Sequence, residues 1–320
     1  MKITVVGPGR WGSCIAWYCA HHKGHDVTLY GLADAPEFIQ FSETRKNEYI
    51  TLPDSIKLTC DLEYAVKDAE VIIISIGAQH FRGFLKELCA LGVKNKKFVL
   101  CMKGLECTTG KRLTEIFKEE MDGSCKVAVW VGPGHVQDYY AGRPSCMIIS
   151  SEDIDYTKWL VSELNSSLIR FYYNEDLIGC EIGAASKNVM GIAAGMLDGI
   201  DCEGLKGALM ARGAREISRL VRAMGGDELT VYGLSHLGDY QATLFSEFSH
   251  NRMFGERYIK GEKMTKLAEG VDTSAALVKL SEKLGVYLPI STAVYEIIFK
   301  EKPYMEVLTG LFDKDTKFEF

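Results

Sequence analysis

Lys187 stands in the middle of Glu181–Ile200, EIGAASKNVMGIAAGMLDGI, a stretch that is small or apolar on nearly every face. A helix that is apolar all round is buried, and small residues let other backbones approach closely. At helical spacing Lys187 shares a face with Gly183, Gly191 and Ala194. No bulky neighbour offers a surface along which the ammonium could reach water. Burying it alone is costly, so the lysine must be paired, deprotonated or both. A lysine in that state is a candidate acid–base. The same residues also suit a structural lysine held by carbonyls or a carboxylate. A membrane helix fits less well, because Glu181, Lys187, Asn188 and Asp198 interrupt the stretch.

Further residues with chemical potential are grouped by the turns that present them. Gly7-Pro8-Gly9-Arg10-Trp11-Gly12 is a GxGxxG pattern between the strand-like Lys2–Val6 and a helical run from Ser13 to Ala20, with a second strand at His25–Tyr30. This is the strand–turn–helix–strand context of a dinucleotide site: the glycines permit the tight turn and close approach to pyrophosphate at a helix N-terminus. Lys103 and the Gly132-Pro133-Gly134 turn follow the strand patterns Phe98–Cys101 and Lys126–Val131. Ligands of open α/β sheets sit at such carboxyl ends. Ser235–Asp239 is a glycine-bearing loop that presents a carboxylate, and Ser249 is an N-cap candidate for a helix beginning at His250-Asn251.

The elements that must position these groups alternate strand and helix through the first half. Val71–Ser75, Ser145–Ser150 and Leu168–Tyr173 complete the strand set, and strand patterns vanish from Leu177 on. The expected architecture is α/β: a Rossmann-type dinucleotide-binding domain over residues 1–178 and an all-helical substrate and catalytic domain over 179–320. Helices are expected at Leu205–Met224, at Ser274–Leu284 with a stop at Gly285, and from Pro289.

With 320 residues, 47% hydrophobic and 25% charged, the chain suits two globular domains, and a net charge of −6 argues against nucleic acid or an anionic membrane as partner. The ten cysteines form no CxxC pair and read as reduced thiols. The chain opens MKITVVG, already in a strand pattern, so no signal peptide is expected and a cytoplasmic location is. His21, His22 and His25 lie at a polar turn without a matching ligand set, so no metal is expected. The second strand ends Leu29-Tyr30-Gly31-Leu32 with neither an early acid for a ribose nor an arginine for a 2′-phosphate, which leans towards NAD and leaves NADP open.

Several motifs in order resemble the soluble, non-flavin NAD(P)-dependent glycerol-3-phosphate dehydrogenases over nearly the full length. They are GPGRWG at Gly7, MKGLE at Met102, GPG…AGRPS from Gly132 to Ser145, SKNVMGIAAGMLDGI at Ser186, LSHLGD at Leu234, HNRMFG at His250 and EGVDT at Glu269. The resemblance implies that Lys187 is the acid–base, that Lys103 contacts substrate and cofactor, and that Asp239 helps to hold the active site. It places Thr243 near the substrate, Ser249, His250 and Asn251 at the substrate phosphate, and Glu269 near the cofactor. The expected cofactor set is Gly7, Gly9, Arg10, Trp11, Gly12, Lys103, Val136, His250, Leu267 and Glu269. The expected substrate set is Lys103, Gly132, Gly134, Lys187, Asn188, Asp239, Thr243, Ser249, His250 and Asn251. A homodimer without a membrane span is expected.

This sequence departs from the family pattern at His250, where arginine is usual, and at Gly134, where serine or threonine is usual. Gly77 replaces a proline and Tyr240 a leucine. Loss of the arginine removes a bidentate phosphate ligand and opens a second reading, a dehydrogenase of another polyol phosphate. A nucleotide sensor without turnover would have no need of Lys187, Lys103 and Asp239 together. The implied reaction is hydride transfer at a secondary alcohol, with Lys187 lowered in pKa by burial and by Lys103 as a second cation.

Overall fold

The computed structural model describes residues 1–264, 267–313 and 318. Its contacts divide it into two compact units. One comprises Met1–Lys103 with Arg112–Glu181, the other Gly104–Lys111 with Ile182–Phe320. The division therefore falls at Glu181 and not at residue 178, and the Gly104–Lys111 segment groups with the helical unit.

The first unit is an eight-stranded sheet in the order β3-β2-β1-β4-β5-β6-β7-β8. The strands are β1 Lys2–Val6, β2 Asp26–Tyr30, β3 Lys57–Thr59, β4 Val71–Ile74, β5 Lys97–Leu100, β6 Lys126–Val131, β7 Ser145–Ser150 and β8 Ile169–Asn174. Every neighbouring pair is parallel except β6 with β7, where Trp130 faces Ile149. β1 and β4 are near-continuous apolar runs because helices cover both faces of a parallel sheet. The order reverses between β1 and β4, the switch point at which such sheets take ligands. β3 was not expected; its three residues are too few to show a period. Ile3, Val5, Ile73, Val99 and Trp130 are among the side chains of the core.

In the second unit the strands stop and helices follow. Leu177–Gly199 carries Lys187 and begins in the first unit, where its Glu181 accepts from Arg112 Nη1 at 2.6 Å and from the Thr114 amide at 2.9 Å. Lys206–Ala223, Gly270–Leu284 and Pro289–Phe299 match the expected helices, the second starting about a turn earlier than Ser274. Gly285 ends it at φ +62°, a left-handed cap that favours glycine. Within this unit Lys279 Nζ donates to the carbonyls of Cys107 and Thr108 at 2.9 and 3.0 Å.

Ten cysteines are free. The histidine cluster is aromatic in character: His21 stacks on Trp17 at 5.4 Å and His22 meets it edge-on at 5.0 Å. Among the described residues no group of His, Cys, Asp or Glu is placed to hold a metal, and no helix is long and apolar enough to cross a membrane.

Candidate active site

At the end of β1 the chain turns through Gly7, whose φ of +100° favours glycine. A Cβ there would overlap the Ser75 carbonyl, and one on Gly12 would overlap the carbonyl of Gly7. Both glycines are required by packing. Gly9 is not: a Cβ on it would meet nothing in the protein. Its bareness suits close approach by a ligand's phosphates. Gly9 opens the helix Arg10–His21, which has no side-chain cap and no acidic residue in its first turn, so its N–H groups and dipole are presented to an anion. Arg10 donates to Gln137 Oε1 at 3.0 Å and covers the Tyr49 ring, and the Trp11 ring lies 5.9 Å from that of Tyr139. These residues fit a dinucleotide.

At the end of β2 a Cβ on Gly31 would press on Phe38 and Pro8, each at 2.7 Å. Asp34 lies beyond it and is exposed. Arg45 donates from Nη2 to the carbonyls of Pro53 and Ile56, both at 2.6 Å, and so braces its own loop.

At the carboxyl ends of β5 and β6, Lys103 Nζ donates to the Gly132 carbonyl at 2.8 Å. The neighbouring turn is tight: Gly132 has φ +131°, and a Cβ on Gly134 would overlap the Tyr139 hydroxyl. That hydroxyl donates to the Pro133 carbonyl at 3.0 Å. Val136 opens the next helix with its side chain in the core, so only its backbone can face a cofactor.

In the second unit Lys187 is buried and paired. Its Nζ lies 2.6 Å from Asp239 Oδ2 and donates to Thr243 Oγ1 at 2.9 Å. Thr243 Oγ1 in turn donates to the Asp239 carbonyl at 2.8 Å. The lysine is 8% exposed at its side chain and the aspartate 1%, so their mutual attraction acts with little solvent screening. Sequence reading left its partner open among carbonyls, a carboxylate and deprotonation; here a carboxylate and a hydroxyl take that place. Such a group can give a proton to an oxygen and recover it.

The glycines of the Lys187 helix have a packing purpose. The helix His250–Ile259 crosses it so closely that a Cβ on Gly195 would overlap the Arg252 carbonyl, and one on Gly199 would meet Ile259 at 2.8 Å. Gly255 answers from the other helix, its own Cβ position overlapping the Ile192 carbonyl. Gly191 leaves room for Thr243 and Asn251. The small-residue stripe thus brings Asn251, at the start of His250–Ile259, against Gly191, one turn beyond Lys187. Ser249 caps that start by accepting from the Arg252 amide, as expected. Asn251 Oδ1 accepts from the Gly270 amide at 3.0 Å, tying in the segment that holds Glu269. Asn188 is buried, and its carbonyl is 2.7 Å from where a Cβ on Gly270 would lie. His250 is half-buried, and Leu267 is 63% exposed.

The family models of the NAD-dependent glycerol-3-phosphate dehydrogenase N-terminus and C-terminus match residues 2–157 and 176–309. Glycerol-3-phosphate dehydrogenase [NAD(P)+] of Prosthecochloris aestuarii is 37% identical, with 99% of each chain covered. The chain belongs to the NAD-dependent glycerol-3-phosphate dehydrogenases. It is an oxidoreductase of the class acting on CH–OH donors. The enzyme of the same name from a Thermoanaerobacter species is 32% identical over 100% of this chain and 99% of its own. The crystal structure of glycerol-3-phosphate dehydrogenase from Coxiella burnetii superposes with a TM-score of 0.91 at 26% identity, covering 98% of this chain and 99% of that one.

Within this family, the glycine at 134 has a local cause, since the Tyr139 ring fills the space a larger residue would need. Two sets of residues were given no role by sequence reading. Arg252 lies 2.5 Å from Asp198 and 3.1 Å from Glu256. Asp198 also pairs with Lys206 at 2.5 Å, and its place in an otherwise apolar stretch was the available signal. His236 and Tyr240, both fully buried, are the second set. The signal for them was a histidine and a tyrosine on either side of Asp239.

Proposed function

We propose that the protein interconverts sn-glycerol 3-phosphate and dihydroxyacetone phosphate, with Lys187 as the acid–base. The observation that carries this reading is the buried Lys187–Asp239–Thr243 cluster in a chain of this family. A bound nicotinamide would supply or accept the hydride. In reduction, the Lys187 ammonium gives its proton to the carbonyl oxygen as that oxygen gains charge; in oxidation, the amine takes the proton from the secondary hydroxyl. Asp239 balances the ammonium and Thr243 orients it. Gly9 and the N-terminus of Arg10–His21 hold the pyrophosphate, while Lys103 serves substrate and cofactor from the end of β5. The substrate phosphate is assigned to the N-terminus of His250–Ile259, where backbone N–H groups can hold a dianion without an arginine.

The test is NADH oxidation with dihydroxyacetone phosphate by the unaltered chain and by Lys187→Ala. Loss of an acid–base should cut kcat by at least about a hundredfold. NADH affinity should stay within about twofold, since no cofactor contact is assigned to the Lys187 ammonium. A variant that keeps near-normal kcat removes the lysine from the mechanism.

A further inference from the structure

We propose that His236 and Tyr240 are positioning residues that pin the Asp239 turn to the Lys187 helix and so set the geometry of the lysine–carboxylate pair. The proposal rests on the reading of Lys187 as acid–base given above.

Asp239 lies on weak local structure. It ends a short 3₁₀ turn, Leu237–Asp239, and a single π turn, Gln241–Phe245, follows. Neither element has the repeated hydrogen bonds that would fix a side chain by itself. The two residues that flank the aspartate provide the missing restraint. His236 Nδ1 is 2.7 Å from the carbonyl oxygen of Gly183, one helical turn before Lys187. A carbonyl can only accept, so Nδ1 carries the proton and Nε2 is left as acceptor. Tyr240 supplies the donor to it, with its hydroxyl 2.5 Å from Nε2. Burial lowers the His236 pKa to about 4, which keeps the ring neutral with this single tautomer. The link therefore runs from Tyr240 through a neutral imidazole to the backbone of the helix that carries Lys187.

Two glycines make room for it. A Cβ on Gly183 would lie 3.1 Å from His236 Cβ, and one on Gly213 would lie 3.1 Å from the Tyr240 hydroxyl. The titratable groups that His236 senses are Lys187 and Asp239; those that Tyr240 senses are the Glu216 carboxylate and the Tyr232 phenol. Glu216 accepts from the Ile290 and Ser291 amides and from the Ser291 hydroxyl, and so serves a different helix.

The test uses Tyr240→Phe, His236→Asn and the double variant in the full chain. Asparagine keeps a donor towards the Gly183 carbonyl and loses the Nε2 acceptor. Kinetics with dihydroxyacetone phosphate and NADH are recorded against pH, with NADH affinity and Tm alongside. Each single variant should lower kcat about tenfold, as expected for loss of one buried hydrogen bond felt in the transition state. A looser carboxylate favours the ammonium less, so the alkaline fall in reduction rate should move to lower pH. NADH affinity should not change. The double variant should cost no more than the worse single, because the two residues form one link. A folded Tyr240→Phe chain with lowered Tm but unaltered kcat and pH profile overturns the proposal, and so does an additive double variant. If Tyr240→Phe does not fold, His236→Asn decides by the same criteria. Lys187→Ala run in parallel separates the layers: if it is inactive and both single variants behave as the unaltered chain, only the positioning role is lost. If it remains active, the acid–base reading and this proposal are lost together.

Discussion

Lys187 Nζ and Asp239 Oδ2 lie 2.6 Å apart, both buried, although their residues belong to elements of opposite character. The lysine sits in a long regular helix, the aspartate in a one-turn 3₁₀ segment. Removing one member of a buried pair leaves the other uncompensated, at a cost of about 3–5 kcal/mol. Asp239→Asn keeps the shape and removes the charge. The ammonium should then give up its proton at lower pH. We expect kcat for ketone reduction to fall by at least about tenfold at pH 8, with the alkaline limb displaced downwards and Tm reduced. A pH–rate profile that superposes on that of the unaltered chain removes the aspartate from proton transfer.

Much of this site was legible in the sequence. The GxGxxG turn could be read because Gly7 and Gly12 answer local steric demands that recur at fixed spacing. The small-residue stripe around Lys187 was rightly read as a surface for close approach, since Gly191, Gly195 and Gly199 repeat with the helix. What occupied that surface was not legible from spacing: the family resemblance placed Thr243 near the substrate, but that residue is 56 positions from Lys187 in sequence and arrives on a π turn with no periodic signature. Gly134 looked like a lost hydroxyl and is a steric concession to Tyr139, a packing relationship that only coordinates reveal.

His236 gives a pH dependence of stability whose sign follows from its pKa of about 4 in the fold. An unfolded histidine titrates near 6.5, so between these values the unfolded chain binds more protons and folding weakens as pH falls. The contribution is fully present above about pH 6.5 and should shrink by about 2 kcal/mol on going to pH 5. Denaturant unfolding of the unaltered chain and of His236→Asn at both pH values isolates it. A difference between the two proteins that is independent of pH would contradict the buried neutral ring.

Cofactor preference turns on the end of β2. Gly31 is wedged against Phe38 and Pro8, no cation lies beside it in sequence, and Arg45 is engaged with Pro53 and Ile56. NADH should bind more tightly than NADPH, whose 2′-phosphate lacks a bidentate partner there. Fluorescence titration of both decides the matter, tighter NADPH being the adverse result.

His250 stands at the start of a helix that is capped by Ser249. An ordinary imidazole is charged only below about pH 6.5, whereas a guanidinium is charged throughout. KM for dihydroxyacetone phosphate should therefore climb between about pH 6 and 8, and His250→Arg should lower KM at pH 8 and flatten the slope. An arginine variant that binds this substrate worse at every pH would favour a different polyol phosphate.

Gly195 tests the helix crossing. Alanine would drive its Cβ into the Arg252 carbonyl, a backbone atom that cannot rotate away. Overpacking of this kind costs about 1–3 kcal/mol. Gly195→Ala should lower Tm and, by shifting the start of His250–Ile259, raise KM for the phosphorylated substrate more than KM for NADH. Equal changes in both would point to general loosening.

The Gly104–Lys111 segment bears on how this chain can be taken apart. The helical unit draws on residues that precede it by most of a sheet's length, and Lys279 is held by two carbonyls of that early segment. A fragment begun at Ile182 would leave the Lys279 ammonium without those acceptors and strip the cover from Leu280, which lies 3.3 Å from the Cβ position of Gly110. During synthesis, the Gly104–Lys111 stretch must stay available until Lys279 and Leu280 emerge. The second unit therefore cannot be excised by a single cut of the gene, and replacing the chain from Ile182 onward with a relative's would set that relative's helices against this chain's own Gly104–Lys111.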